Sequence, residues 1–231
     1  MFLKNCWYVA AWDHEVTREP LARTLLCEPV VLFRGEEGKA VALEDRCCHR
    51  ALPLSMGKVV GDYLQCGYHG LEFDAAGNCV HVPGQAHVPP DAAVRSYPLV
   101  ERWKWVWIWM GDPALADEAL IPNYWWFDHP QWEVVKGKYL RIDCNYELIT
   151  DNLLDLSHLS YVHLQTLGTT DITEFPIRTE REKNMIRMTR WIIDRPAPPM
   201  FQKLGNFAGT VDRWQIVETF SPCHTQIMAG A

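Results

Sequence analysis

No apolar run in the sequence reaches the roughly 18 residues that a membrane helix needs, so a membrane span is not expected. No glycine-rich nucleotide-binding fingerprint is visible, so any nicotinamide nucleotide must be handled by another polypeptide. Internal repeats and low-complexity tracts are missing too. Nor is there an excess of positive charge: 22 Lys and Arg stand against 29 Asp and Glu, a net charge of -7 that argues against a nucleic-acid partner. The start of the chain offers one Lys and six apolar residues, Cys6 to Ala11, before Trp12-Asp13. That stretch is too short for a secretory core, and the expected location is cytoplasmic.

What remains is an ordinary globular composition, 231 residues with 48% apolar, enough for one large domain or two modest ones. Eight cysteines could suggest disulfides. Cytosolic thiols stay reduced, however, and two of these stand at metal-ligand spacing beside histidines. Cys6, Cys27, Cys79, Cys144 and Cys223 read as small hydrophobes. From Cys6 to about Met110, short apolar runs punctuated by Gly, Pro and Asp read as an antiparallel β domain. Trp103, Trp105, Trp107 and Trp109 alternate along one strand and so share a face, expected to be core. A Gly/Pro/Asp-rich stretch from Gly111 to Asn123 looks like a boundary. Beyond it, 131–144 reads as a strand and 145–163 as a helix, with further strands joined by the proline-rich loop Arg195 to Pro199.

Two constellations carry chemistry. The first is Cys47-Cys48-His49 and Cys66-Gly67-Tyr68-His69, a C-x-H and a C-x-x-H separated by sixteen residues. Two short loops, each with one thiolate and one imidazole, can hold a [2Fe–2S] cluster. Two ferric ions and two sulfides sum to a charge of about +2, so two thiolates with two neutral imidazoles leave the oxidised cluster neutral. Reduction is then easier, at about -150 to +300 mV against about -400 mV for all-cysteine plant-type clusters. The alternative is a structural zinc site with two Cys and two His, although zinc fingers place their histidines together.

The second constellation runs from Asp151 and Asn152 through Asp155 and His158 to His163. Asp155 and His158 share a helix face, whereas His163 lies about 140° further round. Both histidines reach one metal only if the helix ends, unwinds or bulges. Two histidines with one carboxylate form the facial triad of non-haem Fe(II) oxygenases. Asp171, Glu174, Asp194, Asp212 and Glu218 are available as the carboxylate but carry no motif. His14, His81, His87, His129 and His224 are read as structural.

With Arg50, Leu54 and Ser55 after the first pair, and Gly70 and Phe73 after the second, the chain resembles the Rieske non-haem iron oxygenases. The segments Asn5 to Ala11 and Trp107 to Asp117 are similar to oxygenase components of vanillate and dicamba O-demethylases. The resemblance implies an α+β chain: an all-β Rieske domain over 1–112 and a helix-grip-like catalytic domain over 113–231. It implies cluster ligands Cys47, His49, Cys66 and His69, and Fe(II) ligands His158 and His163. The third iron ligand would be an Asp beyond Ala231, so the chain is expected to continue. Asp155 is implied to bridge a cluster histidine of one subunit to His158 of the next in a head-to-tail trimer, with Asn152 supporting that region. Electrons from NAD(P)H would arrive through a separate reductase, and O₂ would oxidise an aromatic substrate. The implied reaction is O-demethylation of an aromatic methyl ether; aromatic ring hydroxylation, or a Rieske ferredoxin-type electron carrier, are the alternatives. Cys48 and Gly67 stand where relatives often carry proline, a loss expected to cost about 0.4–1 kcal/mol each where the backbone angles suit proline.

Overall fold

Alternating apolar residues from Cys6 to Met110 demand sheet partners, and in the computed structural model, which describes residues 2–231, they find them in three small antiparallel sheets. Strands β1 (Cys6–Trp12), β2 (Leu21–Leu25), β3 (Glu28–Arg34), β4 (Ala40–Glu44), β5 (Lys58–Val60) and β6 (Tyr63–Gln65) come first. They are followed by β7 (Glu72–Phe73), β8 (Cys79–His81), β9 (Leu99–Arg102) and β10 (Trp105–Met110). The sheets run β1-β10-β9, β2-β3-β4 and β5-β6-β7-β8. The expected antiparallel β domain is present.

β10 is the centre of its sheet and is buried on both faces. Val106, Ile108 and Met110 join Val30, Leu32 and Ala42 in one core cluster. Trp107 and Trp109 join Trp7, Ile121 and Tyr124 in another. The tryptophan face is core, as the alternation indicates, with one correction. Trp103 lies outside the strand: it and Lys104 have φ of 58° and 63° and form the tight turn between β9 and β10. Leu26 and Cys27, with φ of 51° and 65°, do the same between β2 and β3. Positive φ at both central positions matches the right-handed twist of paired strands, and here it is achieved without glycine.

The chain forms two compact units, residues 1–138 and 139–231. This division falls later than the expected 112/113 boundary. Residues 113–127 carry short 3₁₀ turns, and Ile121, Tyr124, Trp126 and Phe127 pack on the tryptophan face, so the first unit keeps them. The segment 131–144, expected as a strand, contains none. Its apolar side chains Trp132, Val135, Tyr139, Leu140 and Ile142 are exposed, and no neighbouring strand among the described residues supplies the ladder that a period-two pattern requires.

The second unit contains helices α1 (Tyr146–Leu154) and α2 (Leu159–Val162), then strands β11 (Ile177–Glu182) and β12 (Met185–Pro196). Helix α3 (Pro199–Gly205) and strands β13 (Thr210–Phe220) and β14 (His224–Gly230) follow. The strands form one antiparallel sheet in sequence order. Ile192 and Val217 on its inner face pack with Leu156, Leu159 and Ile172. The proline-rich segment is only partly a loop, because Pro199 opens α3, where a missing N–H and a fixed φ suit the first helical position.

Two substitutions test the backbone reading with opposite signs. Cys27→Gly relieves a left-handed position on an exposed turn and is expected to raise stability by up to about 1 kcal/mol. Gly77→Ala meets both a φ of +85° and the Val94 carbonyl oxygen, which would lie 2.1 Å from the new Cβ. It is expected to lower stability by about 2 kcal/mol or more, read by chemical denaturation of the two variants side by side.

Candidate metal centres

The loops 47–52 and 66–71 fold alike. In each, the cysteine N–H donates to the carbonyl five residues on, Cys47 to Leu52 at 2.9 Å and Cys66 to Leu71 at 2.8 Å. The N–H four residues on donates back to the cysteine carbonyl, from Ala51 to Cys47 at 2.9 Å and from Gly70 to Cys66 at 3.1 Å. Both loops close through a left-handed residue at the same place, Ala51 with φ 57° and Gly70 with φ 74°. The histidine stands third in the first loop and fourth in the second.

The cysteines point inward, each 3% exposed and part of the core cluster of Val31, Phe33, Leu43, Leu64 and Phe73, while His49 and His69 are exposed. The Cys47 and Cys66 thiols hydrogen-bond to each other. The imidazoles of His49 and His69 stand edge to face, with centroids 4.6 Å apart. Burial pushes the Cys47 thiol up to about 11, with Cys66 adding to the shift and the N–H groups of His49 and Arg50 opposing it. Such a thiol gives up its proton only to a cation that replaces the lost hydration.

Sulfur with sulfur and ring with ring is the pairing a [2Fe–2S] cluster asks for when two cysteines hold one iron and two histidines the other. Tetrahedral zinc would gather all four donors about a single ion. Among the described residues, no three His, Cys, Asp or Glu side chains converge to hold one ion. The donor set fits the cluster better than zinc. Cys48 is exposed and hydrogen-bonds to the Cys47 sulfur, a spare thiol outside both pairs.

Two supports escaped the sequence reading. Asp45, almost fully buried, accepts from the N–H and the hydroxyl of Ser55 at 2.7 and 2.6 Å, which ties the start of the first loop to the turn beyond it. Gly67 lies against the Met56 carbonyl, where a Cβ would come within 2.7 Å of the oxygen. Its lack of a side chain is therefore required by close backbone approach. This corrects the view that proline would be favourable there.

The second constellation sits on broken helix. The Asn145 side chain accepts from the Glu147 N–H at 3.0 Å and starts α1, which stops at Asp155. The Asp155 carboxylate takes the Ser157 N–H at 2.9 Å and opens a 3₁₀ turn, Leu156–His158, before α2. His163 ends α2 with φ -117° and ψ 25°. The expected single helix over 145–163 is thus three pieces, because an aspartate that captures a nearby N–H competes with the helical ladder. The unwinding lies at both ends of α2, and the two imidazoles come within 5.2 Å, centroid to centroid, at 67°.

His158 Nδ1 hydrogen-bonds to the backbone carbonyl of Asp155, so the neutral ring keeps its Nε2 lone pair free. The Asp155 carboxylate, exposed, caps the turn and does not touch His158. Beneath the turn, buried Arg190 donates to the Leu156 carbonyl and Ser157 hydroxyl, both at 3.4 Å.

Asn152, His158 and His163 line a cavity of about 180 Å³ whose other walls include Leu159, Phe201, Arg213, Trp214 and Gln215. Among the described residues, no carboxylate lines it. Asp171 and Glu174 pair with Arg195, Glu218 pairs with Arg187, and Asp212 accepts from the Asp194 N–H. Arg213 and Gln215 were not anticipated. The usable signal was polar residues at positions 213 and 215, in phase with buried Val217 on one strand.

Gly67→Pro is expected to lower stability by about 1 kcal/mol or more, the reverse of an ordinary loop proline. It should also reduce the acid-labile sulfide bound per chain, measured on anaerobically reconstituted protein.

Residues 6–98 match the Rieske [2Fe-2S] domain family, and residues 142–231 match the vanillate O-demethylase oxygenase C-terminal domain family. The chain is 46% identical to the iron–sulfur subunit of the toluene-4-sulfonate monooxygenase system of Comamonas testosteroni, over all of this chain and 67% of that protein. It is 41% identical to the vanillate O-demethylase oxygenase subunit of Pseudomonas sp. (strain HR199 / DSM 7063), over all of this chain and 66% of that one. The crystal structure of dicamba monooxygenase bound to 3,6 dichlorosalicylic acid superposes with a TM-score of 0.94 at 39% identity, over 99% of this chain and 67% of the other. The chain thus spans about two thirds of the length of these relatives. With a Rieske domain followed by the oxygenase domain, and with these relatives matched along its whole length, the chain belongs to the Rieske non-haem iron oxygenase family.

Proposed function

We propose that the protein is a terminal oxygenase that hydroxylates a methyl carbon of an aromatic substrate, with O-demethylation of an aromatic methyl ether as its reaction. The carrying observation is that His158 and His163 line one and the same cavity, in a chain that also pairs two buried thiols and two exposed imidazoles. Cys47 and Cys66 would hold one iron of the cluster and His49 and His69 the other; His158 and His163 would hold the mononuclear iron. When bound, these groups supply single-electron transfer and O₂ activation.

The chain's own residues do the rest. Buried Cys47 and Cys66 keep water from the sulfur side, and exposed His49 and His69 give electrons a short way in and out. The Asp155 carbonyl holds the proton of His158 on Nδ1 and so orients the ring. The exposed Asp155 carboxylate is free to meet a cluster histidine of a partner subunit in a head-to-tail homotrimer, and Asn152 shapes the cavity wall beside it. The apolar walls Leu159, Phe201 and Trp214 suit an aromatic ring. In the overall reaction one oxygen atom enters the methyl group and the other leaves as water, with two electrons and two protons consumed. The resulting hemiacetal collapses to a phenol and formaldehyde. A facial triad at this site would take one carboxylate in addition to the two histidines. Electrons come from NAD(P)H through a separate reductase, in the cytoplasm. The described residues contain no helix long and apolar enough to cross a membrane.

The 46% identity to a toluene-4-sulfonate monooxygenase subunit favours a second reading, hydroxylation of an aryl methyl group. Both readings attack a methyl C–H bond.

Formaldehyde is expected from the holoenzyme on a panel of methoxybenzoates; its absence, with dihydroxylated rings instead, overturns the demethylase reading. His158→Ala is expected to abolish turnover while keeping the EPR signal of the reduced cluster, with iron falling from roughly three per chain to roughly two. A ferredoxin-type carrier would bind about two from the outset.

A further inference from the structure

Arg190 is 3% exposed on the inner face of β12, yet its guanidinium forms no ion pair among the described residues. Its neighbours in register are Ile177 on β11 and Gln215 on β13, and its Nε–H is buried without an acceptor. Arginine is almost never fully buried unless paired, because an unneutralised charge away from water is costly. Burial weakens its hold on its proton, but arginine stays charged at any ordinary pH. A methionine would fill the same place in the sheet without that penalty. The reason for the charge therefore lies in what the guanidinium touches.

It touches one turn. One terminal nitrogen donates to the Leu156 carbonyl and the other to the Ser157 hydroxyl, both at 3.4 Å. These bonds are long, so charge rather than close geometry gives them their strength. The Leu156 carbonyl and the Ser157 N–H are the two ends of a single peptide group. Its N–H end donates to the Asp155 carboxylate at 2.9 Å. The peptide is thus held with a cation at its oxygen and an anion at its hydrogen, in line with its own dipole. Asp155 is also the acid whose field opposes the effect of burial on Arg190, so the two charges act on the turn together. The next residue is His158, whose ring bonds back to the Asp155 carbonyl, in the peptide immediately before the one so held.

We propose that Arg190 is a positioning residue for His158. Through the Leu156–Ser157 peptide it fixes the direction of the imidazole, and so sets how tightly the two-histidine site holds a divalent cation. The proposal rests on the reading of His158 and His163 as metal ligands, and it is tested without turnover. Two opposed effects make it decidable. A guanidinium repels a nearby metal ion, so repulsion alone predicts tighter metal binding once Arg190 is removed. Positioning predicts weaker binding, because a freed peptide lets the ring turn away. Stability follows neither: an apolar replacement relieves the buried charge while it loosens one turn, and the two changes oppose each other.

The test uses the full chain with its cluster in place and oxidised, where the two ferric spins cancel, and cobalt(II) as the probe of the histidine site. Titration calorimetry gives the dissociation constant, and the high-spin EPR signal reports the cobalt environment. Melting temperatures are recorded alongside, and His158→Ala serves as the blank. Arg190→Met is expected to weaken cobalt binding by about 10- to 100-fold and to shift the EPR signal. Its melting temperature should stay within about 4 °C of wild type. Arg190→Lys, which keeps the charge but lacks the fork of two donors, should recover part of the affinity. Cobalt affinity unchanged or raised in Arg190→Met overturns the proposal, a rise being the mark of simple repulsion. So does a lowered melting temperature with an unchanged EPR signal, which would make Arg190 a support of the fold alone. Should Arg190→Met fail to fold, Arg190→Lys decides: a loss of about two- to tenfold is expected, and full wild-type affinity overturns the proposal. Cobalt uptake that His158→Ala leaves undiminished overturns the metal-site reading itself, and the proposal falls with it.

Discussion

Everything in the first unit turns on two sulfur atoms being placed inside an apolar core while two imidazoles stay outside it. A thiolate in that position is unstable by itself, as the upward shift of Cys47 indicates, so the site is complete only with a strongly charged guest. The protein meets this with repetition. Two loops from different parts of the sequence adopt one hydrogen-bond pattern, each closing through a left-handed residue and each rooted by a cysteine in the same cluster of Phe33, Leu43, Leu64 and Phe73. The one-place difference in the position of histidine lets otherwise matching loops bring both rings to the same exposed edge.

The second unit is organised around another burial problem, that of positive charge. Arg190 and Arg213 both lie on the inner face of the sheet, on adjacent strands, where alternation would place aliphatic residues. Arg190 is spent on the turn that carries His158, donating to Leu156 and Ser157. Arg213 holds the turn at Leu167 and Thr169. Irregular backbone around the two histidines is thus fastened from below by charged side chains rather than by a continuous helix, which allows the histidine rings to approach each other.

The parts legible in the sequence were those with a short-range cause. Ligand spacing at Cys47, His49, Cys66 and His69 is local, and strand alternation through Trp105, Trp107 and Trp109 is local, so both were readable. Helix 145–163 was misread because its break comes from one aspartate capturing one N–H, a competition that leucine periodicity does not register. The strand expected at 131–144 failed for the opposite reason, since a strand exists only where a neighbour accepts its hydrogen bonds. Gly67 looked like a missing proline until the Met56 carbonyl appeared beside it, and nothing local set Arg213 apart, because its burial comes from the face of the strand it stands on.

The position of Asp155 at the end of α1 has an electronic side. A carbonyl that terminates a helix sits at the negative pole of the aligned peptide dipoles, and this one belongs to a helix of nine residues. The imidazole that donates to it is polarised by the whole segment, and its opposite nitrogen becomes a richer donor to any cation placed there. Length and regularity of α1, a stretch that holds none of the proposed ligands, would thereby bear on how strongly His158 donates to a cation held there.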